Sequence, residues 1–215
     1  MPTVYGIPLS PFVRKVRVAM AEKGLKYDLD PVIPVNVSAE YKKLSPLGKV
    51  PAFRDGDRTL ADSSIICAYL ERTHPSPPLY PSDPYDYARA LWFEEYADGG
   101  LVTHIGPKVF FQKVAGPKFF NLKTDDAVVK KAVEEDLPPM FDYLESQLGD
   151  GATTLVGKQF TVGDIGVCSQ FVNFKEAGYD VDAKRWPKLA NYLAANHSRP
   201  SFKAVIEEEA GMLSG

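Results

Sequence analysis

The spacing of hydrophobic and polar positions changes along the chain and divides it into two halves. Up to about residue 73, short apolar runs of strand character alternate with stretches of helical spacing. The strand candidates are TVYGI, YDLDPVI, VPAF and the segment after Asp55-Gly56, a pair that strongly favours a hairpin turn. Helical spacing occurs in Pro11 to Lys23, in SSIICAYLERT and, for one turn, in SAEYKKL. The order βαβ followed by ββα predicts a thioredoxin-like first domain.

The first helix has clear start and stop signals. Ser10 is a favoured N-cap, Pro11 suits the first helical position, and Gly24 is expected to end the helix. The apolar positions Val13, Val16, Ala19 and Met20 predict a buried stripe. The polar positions are expected on the solvent side of the helix: Arg14, Lys15, Arg17, Glu22 and Lys23.

A proline-rich segment separates the two halves. Prolines at 75, 77, 78, 81 and 84 exclude a regular helix or a central strand and favour an extended connection. We therefore predict a thioredoxin-like domain over residues 1–76, a linker over 77–88 and a domain over 89–215.

Strand signals disappear after the linker, so the second domain is predicted to be all-α. Residues 86–111 have helical character, which Gly99-Gly100 and Gly106-Pro107 should break or kink. A second helical period covers 124–148, and Thr161 and Asp164 stand at the spacing of a capping box before a third. The fold class is thus α/β plus all-α: an N-terminal thioredoxin-like domain followed by a C-terminal all-helical domain.

Composition restricts the classes of function. The chain has 215 residues and a formal net charge of −3, so its overall charge does not attract nucleic acid or an anionic membrane. Cys67 and Cys168 lie far apart in apolar segments, without metal-ligand spacing, and are expected to be buried thiols. We see no signal peptide and no stretch that could span a bilayer, and therefore expect a cytoplasmic protein without a metal.

Three features of the first half carry candidate chemistry, and each has a structural alternative. Ser10 either only caps its helix or also helps to hold an anion at the helix N-terminus. Pro51 opens a strand and leaves backbone groups free for a partner other than the sheet, and the general preference of X–Pro bonds predicts a trans peptide. Asp62 and Ser63 precede a helix, where they either cap it or bind a carboxylate and an ammonium group.

Taken together and in this order, these motifs resemble the cytosolic glutathione transferases. The resemblance rests on the strand–serine–helix start, on SPLGKVPAFRDGD, LADSSIICAYLE and TVGDIGVCSQF, and on WPKLANYLAANHSRPSFKAV. It covers about residues 3–205, and the SPF form of the first helix is similar to the serine-type classes tau, theta and phi. The resemblance implies glutathione as co-substrate and a homodimer.

The resemblance also implies roles for individual residues. It implies a cis Val50–Pro51 bond, with the Val50 backbone pairing with the cysteinyl backbone of glutathione. Asp62 and Ser63 would hold the γ-glutamyl ammonium and carboxylate, and Lys49 would approach the glycyl carboxylate. Ser10 would donate a hydrogen bond to the glutathione thiolate, with Tyr5 as the alternative donor.

The implied activity is conjugation of the glutathione thiolate to a small hydrophobic electrophile. Peroxide reduction or isomerisation by the same thiolate, and a non-catalytic carrier of hydrophobic ligands, remain alternatives. An electrophile pocket between the two halves is expected, and its candidate residues are Phe12, Tyr96, His104, Phe110 and Phe111.

Overall fold

The structure is a computed structural model that describes residues 1–214 and divides into two compact units. The first unit comprises Met1–Pro81 together with the last helix, and the second comprises Ser82–Arg199. The first unit contains a small mixed sheet, and the second contains, over Ser82–Arg199, helices without strands, which matches the predicted fold class of a thioredoxin-like domain and an all-helical domain.

The first unit contains a four-stranded sheet. Its strands are β1 (Thr3–Tyr5), β2 (Asp28–Asp30), β3 (Ala52–Asp55) and β4 (Arg58–Ala61), in the spatial order β2-β1-β3-β4. Strand β1 pairs parallel to β2 and antiparallel to β3, which forms the predicted hairpin with β4. The helices of this unit are α1 (Pro11–Glu22), α2 (Ala39–Leu44), α3 (Ser63–Thr73) and α11 (Pro200–Ser214).

The polar side of α1 is buried, which corrects the expectation that it faces solvent. Arg14 and Lys15 are fully buried, and Arg17 and Lys23 are nearly so. Two of these groups have hydrogen-bonding partners close by: Arg17 Nε donates to the Tyr27 hydroxyl at 2.8 Å, and Lys23 Nζ donates to Glu71 Oε2 at 2.7 Å. Both faces of α1 are therefore packed.

Helix α11 belongs to the first unit, although the predicted second domain extends to residue 215. Arg14 Nε of α1 donates to Glu209 Oε2 at 2.9 Å, and the guanidinium of Arg17 pairs with Glu208. These ion pairs attach α11 to α1, which explains why the last helix belongs to the first unit.

The second unit is all-α. It consists of the helices α4 (Pro84–Glu95), α5 (Val102–His104), α6 (Gly116–Phe120), α7 (Asp126–Lys131), α8 (Pro138–Gln147), α9 (Val162–Glu176) and α10 (Pro187–His197). Because Pro84 occupies the first helical position after the Asp83 N-cap, α4 begins inside the predicted linker.

The predicted glycine breaks do not end the helical path. Residues Tyr96–Leu101 and Ile105–Ala115 instead form π-helical turns, in which each N–H bonds to the carbonyl five residues earlier. Proline lacks an N–H, and glycine does not hold the helical backbone firmly, so the i→i+4 ladder is interrupted at Gly99-Gly100 and Gly106-Pro107.

The centre of the second unit is α9, whose residues from Val162 to Phe174 are all buried. Gly163 allows a close approach to α4, because an added Cβ would lie 2.7 Å from the Ala90 carbonyl oxygen. Asp164 caps α9 as predicted: its Oδ2 accepts from the Thr161 N–H at 2.8 Å, and its Oδ1 accepts from the Tyr192 hydroxyl at 2.9 Å.

Candidate functional site

Ser10 is the N-cap of α1, as predicted. Its Oγ accepts a hydrogen bond from the Val13 N–H at 3.4 Å, and the Ser10 N–H donates to the Ile7 carbonyl at 3.1 Å. The side chain is half-buried. Because the helix amide uses an oxygen lone pair, the hydroxyl proton remains available for an acceptor at the start of the helix.

Gly6 brings the start of α1 next to Val50. Its φ of +151° lies in the region that favours glycine, and an added Cβ would lie 2.4 Å from Val13 Cγ2 and 3.1 Å from Val50 Cβ. Residues on three segments, the end of β1, the first turn of α1 and the loop before β3, therefore meet at one point.

The loop before β3 presents the main chain of Val50. The Val50–Pro51 bond is cis, as the resemblance implies and against the general preference for trans. Strand β3 begins only at Ala52, and within residues 1–214 we observe no hydrogen bond to the N–H or C=O of Val50. The preceding carbonyl, that of Lys49, accepts from the Tyr41 hydroxyl at 2.9 Å and from the Ser45 hydroxyl at 2.7 Å, which fixes the loop.

Asp62 starts α3 next to Pro51. The register pairs Ala52 with Ala61, and the Asp62 N–H lies 3.3 Å from the Pro51 carbonyl oxygen. Asp62 is exposed, has a φ of +82° and caps α3, because its Oδ1 accepts from the Ser64 N–H at 2.9 Å. A non-glycine residue in this strained region is typical of functional positions.

Ser63 follows Asp62 and is only 2% exposed. Within the described part of the chain, neither its N–H nor its hydroxyl has a hydrogen-bond partner. Unpaired polar groups in a buried residue at a helix N-terminus are suited to an anionic ligand.

Tyr5, the alternative to Ser10, points away from α1. Side chains alternate along a strand, so Tyr5 lies on the face opposite to Val4, which is fully buried, and to Gly6, which faces Val13 of α1. The guanidinium of Arg54 lies over the Tyr5 ring, 5.7 Å from its centroid. This geometry favours Ser10 as the donor at the start of α1.

The candidates for an electrophile pocket divide between the two units. Phe12 is half-buried in the first turn of α1, and the others lie in the second unit. The Tyr96 hydroxyl donates to the Met140 carbonyl at 3.2 Å, and burial, followed by the influence of Tyr143, raises the pKa of Tyr96 to about 12. His104 Nδ1 lies 3.2 Å from Asp136 Oδ2, Phe110 is buried, and the Phe111 ring lies 5.9 Å from that of Phe120.

Lys15 and Ser64 lie near the candidate site, although the sequence had not indicated this. Lys15, assigned to the solvent side of α1, places its Nζ 3.0 Å from the hydroxyl of Ser64 in the first turn of α3. The available signal was Val18, an apolar residue on the supposed polar side of α1 that is fully buried.

Other chemistry has little support in the described residues. Cys67 and Cys168 are buried free thiols, as expected, and burial raises the pKa of the Cys168 thiol. Within residues 1–214, no group of three His, Cys, Asp or Glu side chains is arranged to hold a metal ion. No helix described here is both long and apolar enough to cross a bilayer.

Comparisons with known proteins agree with this geometry. A family model described as the glutathione S-transferase N-terminal domain matches residues 4–78, and the corresponding C-terminal domain model matches residues 110–209. Glutathione S-transferase PARB of Nicotiana tabacum is 31% identical, with 95% of this chain and 97% of PARB covered. Glutathione S-transferase Z2 of Arabidopsis thaliana is 27% identical, with 96% and 91% covered.

A solved structure supports the same relationship. The crystal structure of glutathione transferase F2 from Populus trichocarpa superposes with a TM-score of 0.85 at 27% identity. The superposition covers 98% of this chain and all of the other.

Proposed function

We propose that this chain, which belongs to the glutathione S-transferase family, transfers glutathione to hydrophobic electrophiles. Ser10 is proposed to stabilise the thiolate. This proposal is carried by the observation that the Ser10 hydroxyl can accept one hydrogen bond and donate another at the same time. Its oxygen accepts from the Val13 amide, while its proton can be donated to a sulfur anion.

The energy required is within reach of one hydroxyl. A free thiol has a pKa of about 8.5, and lowering it by about two units requires a preference for the anion of about 2.7 kcal/mol. A hydrogen bond to a charged group contributes about 1.5–3 kcal/mol. A helix N-terminus adds about 0.3–1 kcal/mol.

The rest of glutathione is proposed to extend from Val50 to Ser63. The main chain of Val50, which has no hydrogen bond within residues 1–214, would pair with the cysteinyl backbone in the manner of an added strand, with Pro51 ending this contact. The Ser63 N–H and hydroxyl would receive the γ-glutamyl carboxylate, and Asp62 would bind the ammonium. Lys49, which is exposed, would approach the glycyl carboxylate.

The electrophile is proposed to be apolar and to be held by aromatic side chains. Phe12 supports this because it follows Ser10 by two residues and is only half-buried. In the second unit, Tyr96, His104, Phe110 and Phe111 stay candidates for contacts to the electrophile, and of these Phe110 is buried.

The proposal includes a homodimer and a cytoplasmic role in detoxification. Helix α4 exposes large aromatic side chains, among them Tyr85 at 72% and Trp92 at 48%, and a second copy of the chain would cover them. Light scattering on the purified protein tests the dimer: a monomeric mass contradicts it.

The buried thiols Cys67 and Cys168 support a reducing compartment.

Two assays test the proposed function. The protein should bind immobilised glutathione and should catalyse conjugation of glutathione to chlorodinitrobenzene. Binding without turnover would favour a carrier of hydrophobic ligands, and turnover with hydroperoxides alone would favour a peroxidase. Failure to bind glutathione would reject the proposed function.

A further inference from the structure

The carbonyl of Lys49 receives two hydrogen bonds from side chains at α2. The Tyr41 hydroxyl lies 2.9 Å from this carbonyl oxygen, and the Ser45 hydroxyl lies 2.7 Å from it. Both donors are buried, with exposed fractions of 6% and 2%. Because a carbonyl oxygen has two lone pairs, both of its acceptor positions are used, and rotation of this peptide would break at least one of the two bonds.

Helix α2 brings the two hydroxyls together. Tyr41 and Ser45 are four residues apart, and the Ser45 N–H donates to the Tyr41 carbonyl at 2.9 Å, so both residues lie on the same side of the end of α2. Gly48, with a φ of +68°, then reverses the chain, and its N–H donates to the Ser45 carbonyl at 2.8 Å. The loop therefore returns to the side of α2 that carries both hydroxyls.

The fixed carbonyl determines the direction of the Val50 N–H. The Lys49–Val50 peptide is trans, and in a planar trans peptide the C=O and the N–H point in opposite directions. The Val50 N–H is therefore directed away from the two hydroxyls, and within residues 1–214 it has no acceptor. On the other side of Val50, the Pro51 carbonyl is held by the Asp62 N–H at 3.3 Å.

We propose that Tyr41 and Ser45 are positioning residues that orient the Val50 N–H for pairing with the cysteinyl carbonyl of glutathione. This inference rests on the proposed function, because it assigns a role within the same glutathione site. The two hydroxyls act through the Lys49–Val50 peptide and take no part in the reaction at sulfur. Burial raises the pKa of Tyr41, so its phenol keeps the donated proton at neutral pH.

The role predicts a specific pattern of kinetics. Tyr41→Phe and Ser45→Ala each remove one hydroxyl and leave the other on the Lys49 carbonyl, so both variants should fold. Each should raise the KM for glutathione about three- to tenfold, the equivalent of one hydrogen bond. The kcat at saturating glutathione should change by less than about twofold, because the pairing is made equally in the ground state and the transition state.

Two shorter thiols separate this role from simple packing. γ-Glutamylcysteinamide keeps the cysteinyl carbonyl but lacks glycine, whereas γ-glutamylcysteamine lacks both the carbonyl and glycine. Each variant should raise the KM for the cysteinamide by the same factor as the KM for glutathione. The KM for the cysteamine should stay within about twofold of the wild-type value, because this thiol offers no cysteinyl carbonyl to the Val50 N–H.

Tyr69→Phe is the matched control. The Tyr69 hydroxyl donates to Asp55 Oδ2 at 2.8 Å in the same unit, so this substitution removes a phenol hydrogen bond of similar length that does not involve the Lys49–Val50 peptide. It should leave all three KM values within about twofold of the wild type. If Tyr41→Phe fails to fold, as judged by circular dichroism, Ser45→Ala decides the test.

Three results would overturn the inference. An equal rise in KM for all three thiols would mean that the hydroxyls only maintain the fold of the first unit. A rise for glutathione alone would place the effect at the glycyl carboxylate. Unchanged KM values in the folded variants would exclude any role in binding. In each case the wild type would still bind and conjugate glutathione, whereas a wild type that does not bind it would reject the proposed function as well.

Discussion

The guanidinium of Arg14 and the carboxylate of Glu209 form an ion pair in which both side chains are fully shielded from solvent. The two residues are 195 positions apart, and the contact joins α1 to α11. Because Ser10 caps α1, this ion pair also holds the helix that carries the proposed thiolate donor.

Glu209→Gln should strongly destabilise the first unit. Removing one partner of a buried ion pair weakens the compensation of a charge that stays buried, and the expected loss is about 3–5 kcal/mol in the free energy of unfolding. Urea denaturation measures this loss. The matched control is Glu207→Gln, because Glu207 forms only an exposed pair with Lys203, and a change of about 0.5 kcal/mol or less is expected. Equal effects of the two substitutions would contradict the structural role of Glu209.

Gly6→Ala should damage the proposed glutathione site. The added methyl group would overlap Val13 Cγ2 and press on Val50, and alanine disfavours the φ of +151°. We expect a fall in glutathione affinity of at least tenfold, measured by calorimetry, together with a lower melting temperature. Gly211→Ala, in an open part of α11, is the control and should leave affinity unchanged. Normal glutathione binding by Gly6→Ala would contradict the convergence of α1 and Val50.

Asp62→Asn should separate capping from charge recognition. Asparagine retains an oxygen that can accept from the Ser64 N–H, so the melting temperature should change little. The negative charge proposed to bind the ammonium is lost, and the KM for glutathione should rise about tenfold. The KM for glutaryl-cysteinylglycine, which lacks that ammonium, should stay constant. A parallel rise for both thiols would show that Asp62 acts only as a cap.

Tyr96 should make stability depend on pH in the alkaline range. Burial raises the pKa of its phenol from about 10 to about 12, so the unfolded chain ionises first and stability falls as pH rises between these values. Tyr96→Phe removes this contribution and also the hydrogen bond to Met140. Urea denaturation should therefore give the variant a lower free energy of unfolding than the wild type at pH 9, and this difference should narrow above pH 10. A difference in the free energy of unfolding that stays constant or widens would contradict the shifted pKa.

Local signals in the sequence predicted turns and helix ends, including the start of α1. The Asp55-Gly56 hairpin, the Ser10 cap with Pro11, and the Thr161–Asp164 cap each depend on residues a few positions apart. Such short-range patterns specify turns and helix ends directly, which explains why the strands and caps occur where they were expected.

The parts that were not predicted depend on distant residues. We predicted that Arg14 and Lys15 face solvent because they occupy the polar positions of the helical pattern. That pattern contains no information about their distant contacts, Glu209 and Ser64. Likewise, the acidic residues of α11 that bind α1 follow the second unit in sequence, so the boundary predicted from the proline-rich segment placed this helix in the second domain. Burial of a charge can be predicted only when its partner is known.

The pKa of the glutathione thiol in the bound complex is the most direct test of the central claim. Thiolate absorbance, followed as a function of pH for the wild type, Ser10→Ala and Tyr5→Phe, measures it. We expect a bound pKa about two units below that of free glutathione in the wild type and in Tyr5→Phe, and a return towards the free value in Ser10→Ala. A lowered pKa that survives Ser10→Ala but is lost in Tyr5→Phe would contradict the assignment of Ser10.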